Sequence, residues 1–205
     1  MNAALLEDIA PRLHRITVDD FRQMCANGIV PEDVSLELIE GAIVRVDRSE
    51  VGADPMSISN KHVYAVEQLR DLNERAKPLG FHVRGRQPIR LTPYNEPIPD
   101  AIFVHGLLGA YRDRELEVAD VTCVAEVSSS SLRTDRKTKL PLYARAGVPQ
   151  YVIVNLVEGV IEVYGNPNSG AGEYAPPLVR RRGEAVAFNL GDGRTLDVAC
   201  DDLLP

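Results

Sequence analysis

The chain has 205 residues, about the size of one domain, so two independent domains are not expected. A hydrophobic fraction of 44%, a charged fraction of 26% and a mean hydropathy of -0.14 exclude disordered and collagen-like proteins. No apolar run reaches the roughly 18 residues that cross a bilayer, and Glu7 and Asp8 interrupt the first short apolar stretch. We therefore expect a single cytoplasmic domain over residues 1–205, with residues 1–35 as a peripheral extension and no membrane partner.

The three cysteines, Cys25, Cys123 and Cys200, lie far apart without a C-x-x-C pair. This spacing predicts neither a zinc site nor a disulfide framework, and it favours a reducing compartment. Free cysteines are among the most often buried residues, so we expect all three to act as small buried hydrophobic side chains.

The net charge of -7 at first argues against a nucleic-acid partner, because phosphate contacts require lysine and arginine. The acidic excess, however, lies at the front, where residues 1–60 hold eleven acidic and five basic side chains. Two later stretches are basic: one contains Arg84, Arg86 and Arg90, the other Arg133, Arg136, Lys137, Lys139 and Arg145. Either these stretches contact phosphate or they are ordinary solvated faces.

Local signals predict the first elements. Thr17 caps a short helix that ends near Asn27 and Gly28. Residues 36–46 alternate around Glu40 and Gly41 and predict a hairpin with a tight turn. Apolar residues at helical spacing predict a long helix that begins at Ser57 or Ser59 and ends before residues 78–80.

Downstream, the pattern becomes extended, and residues 81–91, 100–104 and 121–127 are predicted strands. A second helix with Leu140, Tyr143 and Ala144 on its apolar face ends at Gly147, and Pro141 should kink it or shorten its regular part. Residues 151–157 and 160–164 then form a strand pair. This order predicts an α/β fold with a central mixed sheet, flanking helices and a hairpin at each side.

The strand 121–127 carries a carboxylate in an apolar setting. Both of its faces are mostly apolar, so it should be central, and Glu126 would be costly to bury without a cation or hydrogen-bond donors. Asp100 opens a second strand, and two strand-borne carboxylates that converge form a natural site for Mg²⁺ or Mn²⁺. The structural alternatives are a salt bridge from Glu126 to Lys139 or an arginine, and a turn role for Asp100 after Pro99.

Asp135 and Lys139 are four residues apart and share a helix face if the segment is helical. The ammonium group of Lys139 could then supply the positive charge that phosphodiester cleavage needs near the water or the phosphorus. Alternatively Lys139 is a surface lysine, and Asp135 either complements the helix dipole or hydrogen-bonds to Lys139.

Several stretches together resemble one known family. The run AEVSSSSLRTDRKTKLPLYARAGVPQYVIVN, with LELIEGAIV and PIPDAIFV upstream and GRTLDVACDDLLP at the end, is similar to the Uma2 family (DUF820). That family belongs to the PD-(D/E)XK restriction-endonuclease-like superfamily, and the resemblance extends from Leu36 to the C-terminus. It implies a restriction-endonuclease-like core with an added N-terminal hairpin and C-terminal strands.

The resemblance also implies roles for individual residues. Asp100 corresponds to the PD aspartate and Glu126 to the second acidic metal ligand. Ser128 stands where the superfamily's basic pattern has a lysine, and Lys139 is the candidate that replaces it. Supporting candidates are Glu37, Glu40, His62, Gln87 and Asp135, although a purely structural role is an alternative for His62.

The expected function is therefore that of a Mg²⁺- or Mn²⁺-dependent endonuclease that cleaves DNA through a metal-activated water. Asp100 and Glu126 would hold the metal, Lys139 would stabilise charge, and the resemblance favours a homodimer. The alternative is a catalytically silent nuclease-fold module that binds nucleic acid or a protein partner, with Ser128 as the sign of lost activity. Both acidic residues and Lys139 must meet in one pocket, and an arginine filling that pocket would contradict the metal site.

Overall fold

The computed structural model describes residues 13–31, 34–45 and 59–205. The first part holds helix α1 (Val18–Ala26), strands β1 (Leu36–Ile39) and β2 (Ala42–Arg45), and helix α2 (Asn60–Ala76). The middle part comprises β3 (Phe81–Gly85), β4 (Ala101–His105), β5 (Val121–Ser128), α3 (Leu132–Thr134), a π-helical turn (Asp135–Lys139) and α4 (Leu140–Ala146). The last part comprises β6 (Gln150–Asn155), β7 (Val160–Gly165), β8 (Leu178–Arg180), β9 (Ala185–Gly191), β10 (Arg194–Ala199) and α5 (Cys200–Leu203).

Strands β3 to β8 form one mixed sheet in sequence order, which confirms the predicted α/β class. Only β5 and β6 run parallel, and the segment from α3 to α4 connects them. Strand β5 lies third in the sheet, and all eight of its residues are buried, as its apolar pattern predicted. The sheet therefore presents the centre of β5 to packed layers on both sides.

Two hydrophobic clusters cover the two faces of the sheet. Helix α2, the β9–β10 hairpin and α5 contribute to one cluster, in which the rings of Phe103 and Phe188 stack with centroids 4.7 Å apart. The other cluster includes Ile39 from β1 and Leu142 and Tyr143 from α4. The latter face carries the side chains of the candidate site.

The N-terminal turn and cap follow the sequence signals. The Thr17 side chain accepts a hydrogen bond from the Asp20 amide at the start of α1. Glu40 and Gly41 have φ of 52° and 77°, the left-handed pair that a two-residue hairpin turn requires. The predicted hairpin is confirmed over β1 and β2, whereas Val46 falls outside the described residues.

Helix α2 begins at the predicted serine. Ser59 Oγ accepts from the His62 amide at 3.2 Å, and Val66, Leu69 and Leu72 are buried against the sheet. Ser57, the other predicted cap, falls outside the described residues. Within those residues, no helix has both the length and the apolar character that crossing a membrane would take.

Two expectations differ from the structure. Strand β3 ends at Gly85 instead of residue 91, because Arg86 has a left-handed φ of 49° and Pro88 lacks a backbone donor. Gln87 consequently lies in an exposed loop and not on the strand. Cys25 is exposed on α1, whereas the other two cysteines are buried as expected.

The helical segment after β5 contains a wide turn ahead of its proline. The π-helical turn ends at Lys139, α4 then carries Pro141 near its start, and Gly147 ends it with a φ of 78°. A proline removes the amide that an α-helix uses four residues back, so the widened turn is the physical response to Pro141. The predicted distortion is therefore present.

Candidate functional site: a buried carboxylate cluster around Lys139

Asp100 and Glu126 meet where β4 and β5 pair. Ala101 pairs with Ala125, so the next position along places Asp100 opposite Glu126. The Asp100 amide donates to Glu126 Oε2 at 3.3 Å, and the Val127 amide donates to Asp100 Oδ2 at 2.9 Å. The two strand-borne carboxylates converge, as the sequence predicted.

Lys139 reaches the same place from the π-helical turn. Its Nζ atom donates to Glu126 Oε1 at 2.9 Å and to Glu37 Oε1 at 3.0 Å. Lys139 is only 6% exposed, so it is a cluster residue and not a surface lysine. An ammonium group has three donors, and the contacts within the described residues use two of them.

Tyr143 adds another hydrogen bond to the cluster. Its hydroxyl donates to Glu126 Oε1 at 3.2 Å, and its side chain is fully buried. Burial raises the pKa of Tyr143 well above its usual value, and the neighbouring Glu126 and Glu37 raise it further. The hydroxyl therefore keeps its proton and remains a donor. Sequence analysis placed Tyr143 only in the core, although its position one helical turn after Lys139 was a signal for a shared face.

Asp135 and Ser128 form a buried pair beside Glu126. Ser128 Oγ donates to Asp135 Oδ2 at 2.6 Å, and both side chains are buried. Asp135 is thus not an exposed acid at a helix terminus. The serine that replaces the expected lysine fixes a carboxylate instead of supplying a charge.

The cluster contains more carboxyl groups than cations. The carboxylates of Glu37, Glu126 and Asp135 are at most 4% exposed, and Lys139 is the buried cation among them. Burial raises the pKa of Glu126 well above its usual value, and Lys139 offsets this only in part. Burial likewise raises the pKa of Asp135. Burial alone would lower the pKa of Lys139, but Glu126 and Glu37 outweigh it and raise that pKa.

The other predicted residues are divided between the cluster and the surface. Glu37 belongs to the cluster, and its Oε1 also accepts from the Ile98 amide at 2.7 Å. His62 Nε2 lies 3.9 Å from Asp100 Oδ1, at the border of the cluster. Glu40, in contrast, pairs with Arg15 at 3.1 Å and Arg145 at 3.7 Å, so it points to a different group of charges.

Arg86 is a neighbour of Asp100 that sequence reasoning placed only in a basic stretch. Its Nε atom lies 3.6 Å from Asp100 Oδ1, and its side chain is 34% exposed. Among the described residues, no arginine comes within 4.0 Å of Glu126. Within the described part of the chain, an arginine therefore contacts Asp100, whereas none forms an ion pair with Glu126.

The residues present fit a divalent cation held by two carboxylates. Within residues 13–31, 34–45 and 59–205, no group of three or more histidine, cysteine, aspartate or glutamate side chains is arranged to hold a metal ion. Mg²⁺ usually takes only one or two protein carboxylates and keeps several waters. Among the described residues, Asp100 Oδ1 lies 3.6 Å from Arg86 Nε and 3.9 Å from His62 Nε2, and Glu126 Oε2 accepts from the Asp100 amide at 3.3 Å. These two oxygens are the ones that would hold the ion.

The basic stretches are largely neutralised by nearby acids. Arg136 pairs with Glu162 at 2.7 Å and with Glu158 at 3.0 Å, and Arg90 pairs with Asp19 at 2.7 Å. Within these two basic stretches, Arg133 and Lys137 are exposed and have no ion pair among the described residues, and they lie one helical turn apart.

Comparison with known proteins places these features in a family. Residues 18–199 match the family described as "Uma2: Putative restriction endonuclease". The fold is similar to the crystal structure of "a putative nuclease belonging to DUF820" from Anabaena variabilis ATCC 29413, with a TM-score of 0.64 and 18% identity over 92% of this chain and 97% of that chain. A comparison with curated proteins finds no match.

Proposed function

This chain belongs to the Uma2 family of restriction-endonuclease-like proteins, and from that membership and the carboxylate cluster we propose that it is a Mg²⁺- or Mn²⁺-dependent endonuclease that cleaves DNA. The observation that carries the proposal is the convergence of Asp100, Glu126 and Lys139 in one cluster that contains more carboxyl groups than cations. A divalent cation bound there supplies Lewis-acid activation of a water and neutralises charge on the phosphate.

The protein's own residues orient this chemistry. Lys139 and Tyr143 both donate to Glu126 Oε1, which holds that carboxylate in one orientation with Oε2 directed towards Asp100. The third donor of Lys139 is available for a water or a phosphate oxygen. Arg133 and Lys137, exposed on the adjoining helical segment, are suited to contact the phosphate backbone.

The test combines cleavage and metal binding. Asp100→Asn and Glu126→Gln should each lower the rate of DNA cleavage with Mg²⁺ or Mn²⁺ by more than about 100-fold, because each removes one charged ligand. The same variants should lose Mn²⁺ binding in calorimetric titration, with a circular-dichroism spectrum like that of the wild type.

Glu162→Gln is the matched control. Glu162 is also a buried strand glutamate, but it is held by Arg136, Asn155 and Tyr164, outside the cluster. This variant should retain Mn²⁺ binding and cleavage. The proposal is wrong if the wild type cuts no DNA with either metal and the acidic variants bind Mn²⁺ as the wild type does.

A second candidate is a catalytically silent module that binds nucleic acid through the same fold. The contact between Arg86 and Asp100 favours it, because a permanent ion pair there would compete with a metal. Such a protein would bind a DNA duplex without cutting it, and its duplex affinity would not change when Mn²⁺ is added.

A further inference from the structure

Arg86 faces Asp100 across the edge of the sheet. Gly85 pairs with Ala101 at the end of β3, and one residue further the Arg86 amide donates to the Asp100 carbonyl at 3.3 Å. Because Asp100 in turn faces Glu126, these three residues form one row across β3, β4 and β5. The sheet register therefore fixes an arginine beside the two acidic residues.

The backbone of Arg86 is in a conformation that suits glycine better than arginine. Its φ is 49°, and a left-handed residue with a long side chain is strained relative to glycine. Glycine would relieve the strain but would leave Asp100 without this cation. The left-handed backbone therefore carries some strain, and arginine at this position places a positive charge beside Asp100.

The contact with Asp100 is electrostatic and loose. Arg86 Nε lies 3.6 Å from Asp100 Oδ1, beyond hydrogen-bond distance, and this buried nitrogen has no hydrogen-bond partner among the described residues. A guanidinium group normally makes directed, often bidentate bonds with a carboxylate. The Arg86 side chain instead stands near the Asp100 carboxylate without a hydrogen bond through Nε, so no such bond has to be broken for it to turn away.

Arg86 also lines a cavity. Arg86 and Gln87 lie at one part of the lining of a cavity of about 880 Å³ between α2 and β3, which also includes Arg84 and Arg70. Arg86 therefore borders open space as well as Asp100. The lining also contains Asp71, Glu67 and Glu74, of which the last two pair with Arg70 and Lys77. A negatively charged group that enters this space would meet Arg84 and Arg86 among the described cations of the lining.

We propose that Arg86 is an internal counter-ion of the site, which balances Asp100 while no cation is bound there and turns to a phosphate oxygen of the nucleic acid when a divalent cation is bound. This inference rests on the proposed function. Arg86 is the residue that exchanges between the two negative partners, and Asp100 Oδ1 is the oxygen it shares with the cation.

The first test measures metal affinity without nucleic acid. Calorimetric titration with MnCl₂ should show that Arg86→Gln binds Mn²⁺ about three- to tenfold more tightly than the wild type, because a competing positive charge has been removed. Arg86→Lys keeps the charge and should stay within about twofold of the wild type. A merely structural role would not raise the affinity for a metal.

Arg84→Gln is the matched control for this measurement. Arg84 lines the same cavity, but its Nε donates to His82 Nε2 at 3.1 Å and its guanidinium lies over the Tyr111 ring. Its removal should leave the Mn²⁺ affinity unchanged. If Arg86→Gln fails to fold, Arg86→Gly removes the same charge and suits the left-handed backbone.

The second test measures the contact with phosphate. Binding of a short fluorescein-labelled DNA duplex, followed by anisotropy with Ca²⁺ in place of Mg²⁺, should be several-fold weaker for Arg86→Gln. The slope of log affinity against log salt should fall by about one, as expected for one lost phosphate contact.

The outcomes separate this inference from the proposed function. If Arg86→Gln binds Mn²⁺ no more tightly than the wild type while Glu126→Gln loses it, the counter-ion role is wrong and the proposed function stands. An unchanged salt slope would overturn the phosphate contact in the same way. If neither the wild type nor Arg86→Gln binds Mn²⁺ better than Glu126→Gln, the metal site itself fails and both are wrong.

Discussion

The Nζ atom of Lys139 lies 2.9 Å from Glu126 Oε1, although Lys139 comes from a helical turn and Glu126 from the central strand. The same nitrogen contacts Glu37, which comes from the N-terminal hairpin. One ammonium group therefore joins three separate segments of the chain, and the stability of their packing depends on it.

Replacing Lys139 by methionine should destabilise the protein by about 3–5 kcal/mol, because two buried carboxylates would lose their cation. The Glu126→Gln/Lys139→Met double variant should be more stable than the sum of the single variants predicts, with a coupling energy of about 1–3 kcal/mol. Urea unfolding of the four proteins measures both quantities. Strict additivity of the two changes would contradict the pairing of Lys139 with Glu126.

Ser128 stands at the position where the superfamily's basic pattern has a lysine, and its hydrogen bond to Asp135 can be tested. Ser128→Ala should lower the free energy of unfolding by about 1–3 kcal/mol, because the buried Asp135 loses a donor at 2.6 Å. In an Asp135→Asn background, where the carboxylate is already neutral, the same change should have a smaller effect. Urea unfolding measures the loss of unfolding free energy in each background. Equal losses in both would show that the Ser128–Asp135 bond contributes nothing specific.

His82 should make the stability depend on pH. Its Nδ1 lies 2.7 Å from the Gly106 carbonyl, and its Nε2 accepts from Arg84 Nε, so the ring is neutral with the proton on Nδ1. Burial lowers its pKa and Arg84 lowers it further, and together they outweigh the hydrogen bond with the Gly106 carbonyl, which raises it. The folded state therefore binds a proton less readily than the unfolded state. The contribution of His82 to the free energy of unfolding should be fully present above the unfolded pKa of about 6.5 and should decrease as the pH falls below it.

His82→Gln should remove part of this dependence. Urea unfolding at pH 8, 6.5 and 5 should show a smaller loss of stability for the variant than for the wild type across that range. His105→Gln is the control, because His105 lies on the neighbouring strand with an exposed side chain. An identical pH profile for the wild type and His82→Gln would rule out this role.

The stacked rings of Phe103 and Phe188 should fasten the C-terminal hairpin to the sheet. Both rings are fully buried, so Phe188→Ala should cost about 3–5 kcal/mol in unfolding free energy, whereas Phe188→Leu should cost less than half as much. Urea unfolding measures both. A loss below about 1 kcal/mol for the alanine variant would mean that the hairpin is not docked as described.

Local signals were sufficient for much of the fold. The cap at Ser59, the left-handed turn at Glu40 and Gly41, and the glycine stop at Gly147 each depend on a few neighbouring residues. The central position of β5 followed from its apolar pattern, because a strand covered on both faces has no polar side. The end of β3 was missed: Pro88 was a local signal against a strand that continues to residue 91, whereas nothing in the local sequence marks Arg86 as left-handed.

The candidate site was predictable where strand order decided the geometry. Asp100 and Glu126 could be paired because they open and close neighbouring strands. The choice between Glu37 and Glu40 was left open, although the predicted turn already placed Glu40 at the exposed tip of the hairpin. The contacts of Tyr143 and Arg86 depend on packing between distant segments, which no local pattern encodes.

The π-helical turn has a consequence for how relatives of this chain are aligned. A π turn accommodates one residue more than an α turn, so winding the same residues as a regular α-helix would rotate Lys139 relative to the strand by roughly 100°, the step of one helical residue. The location of the lysine is thus encoded in a residue count as well as in residue identity. A sequence alignment that ignores the extra residue of this turn would match Lys139 with the wrong position in a relative.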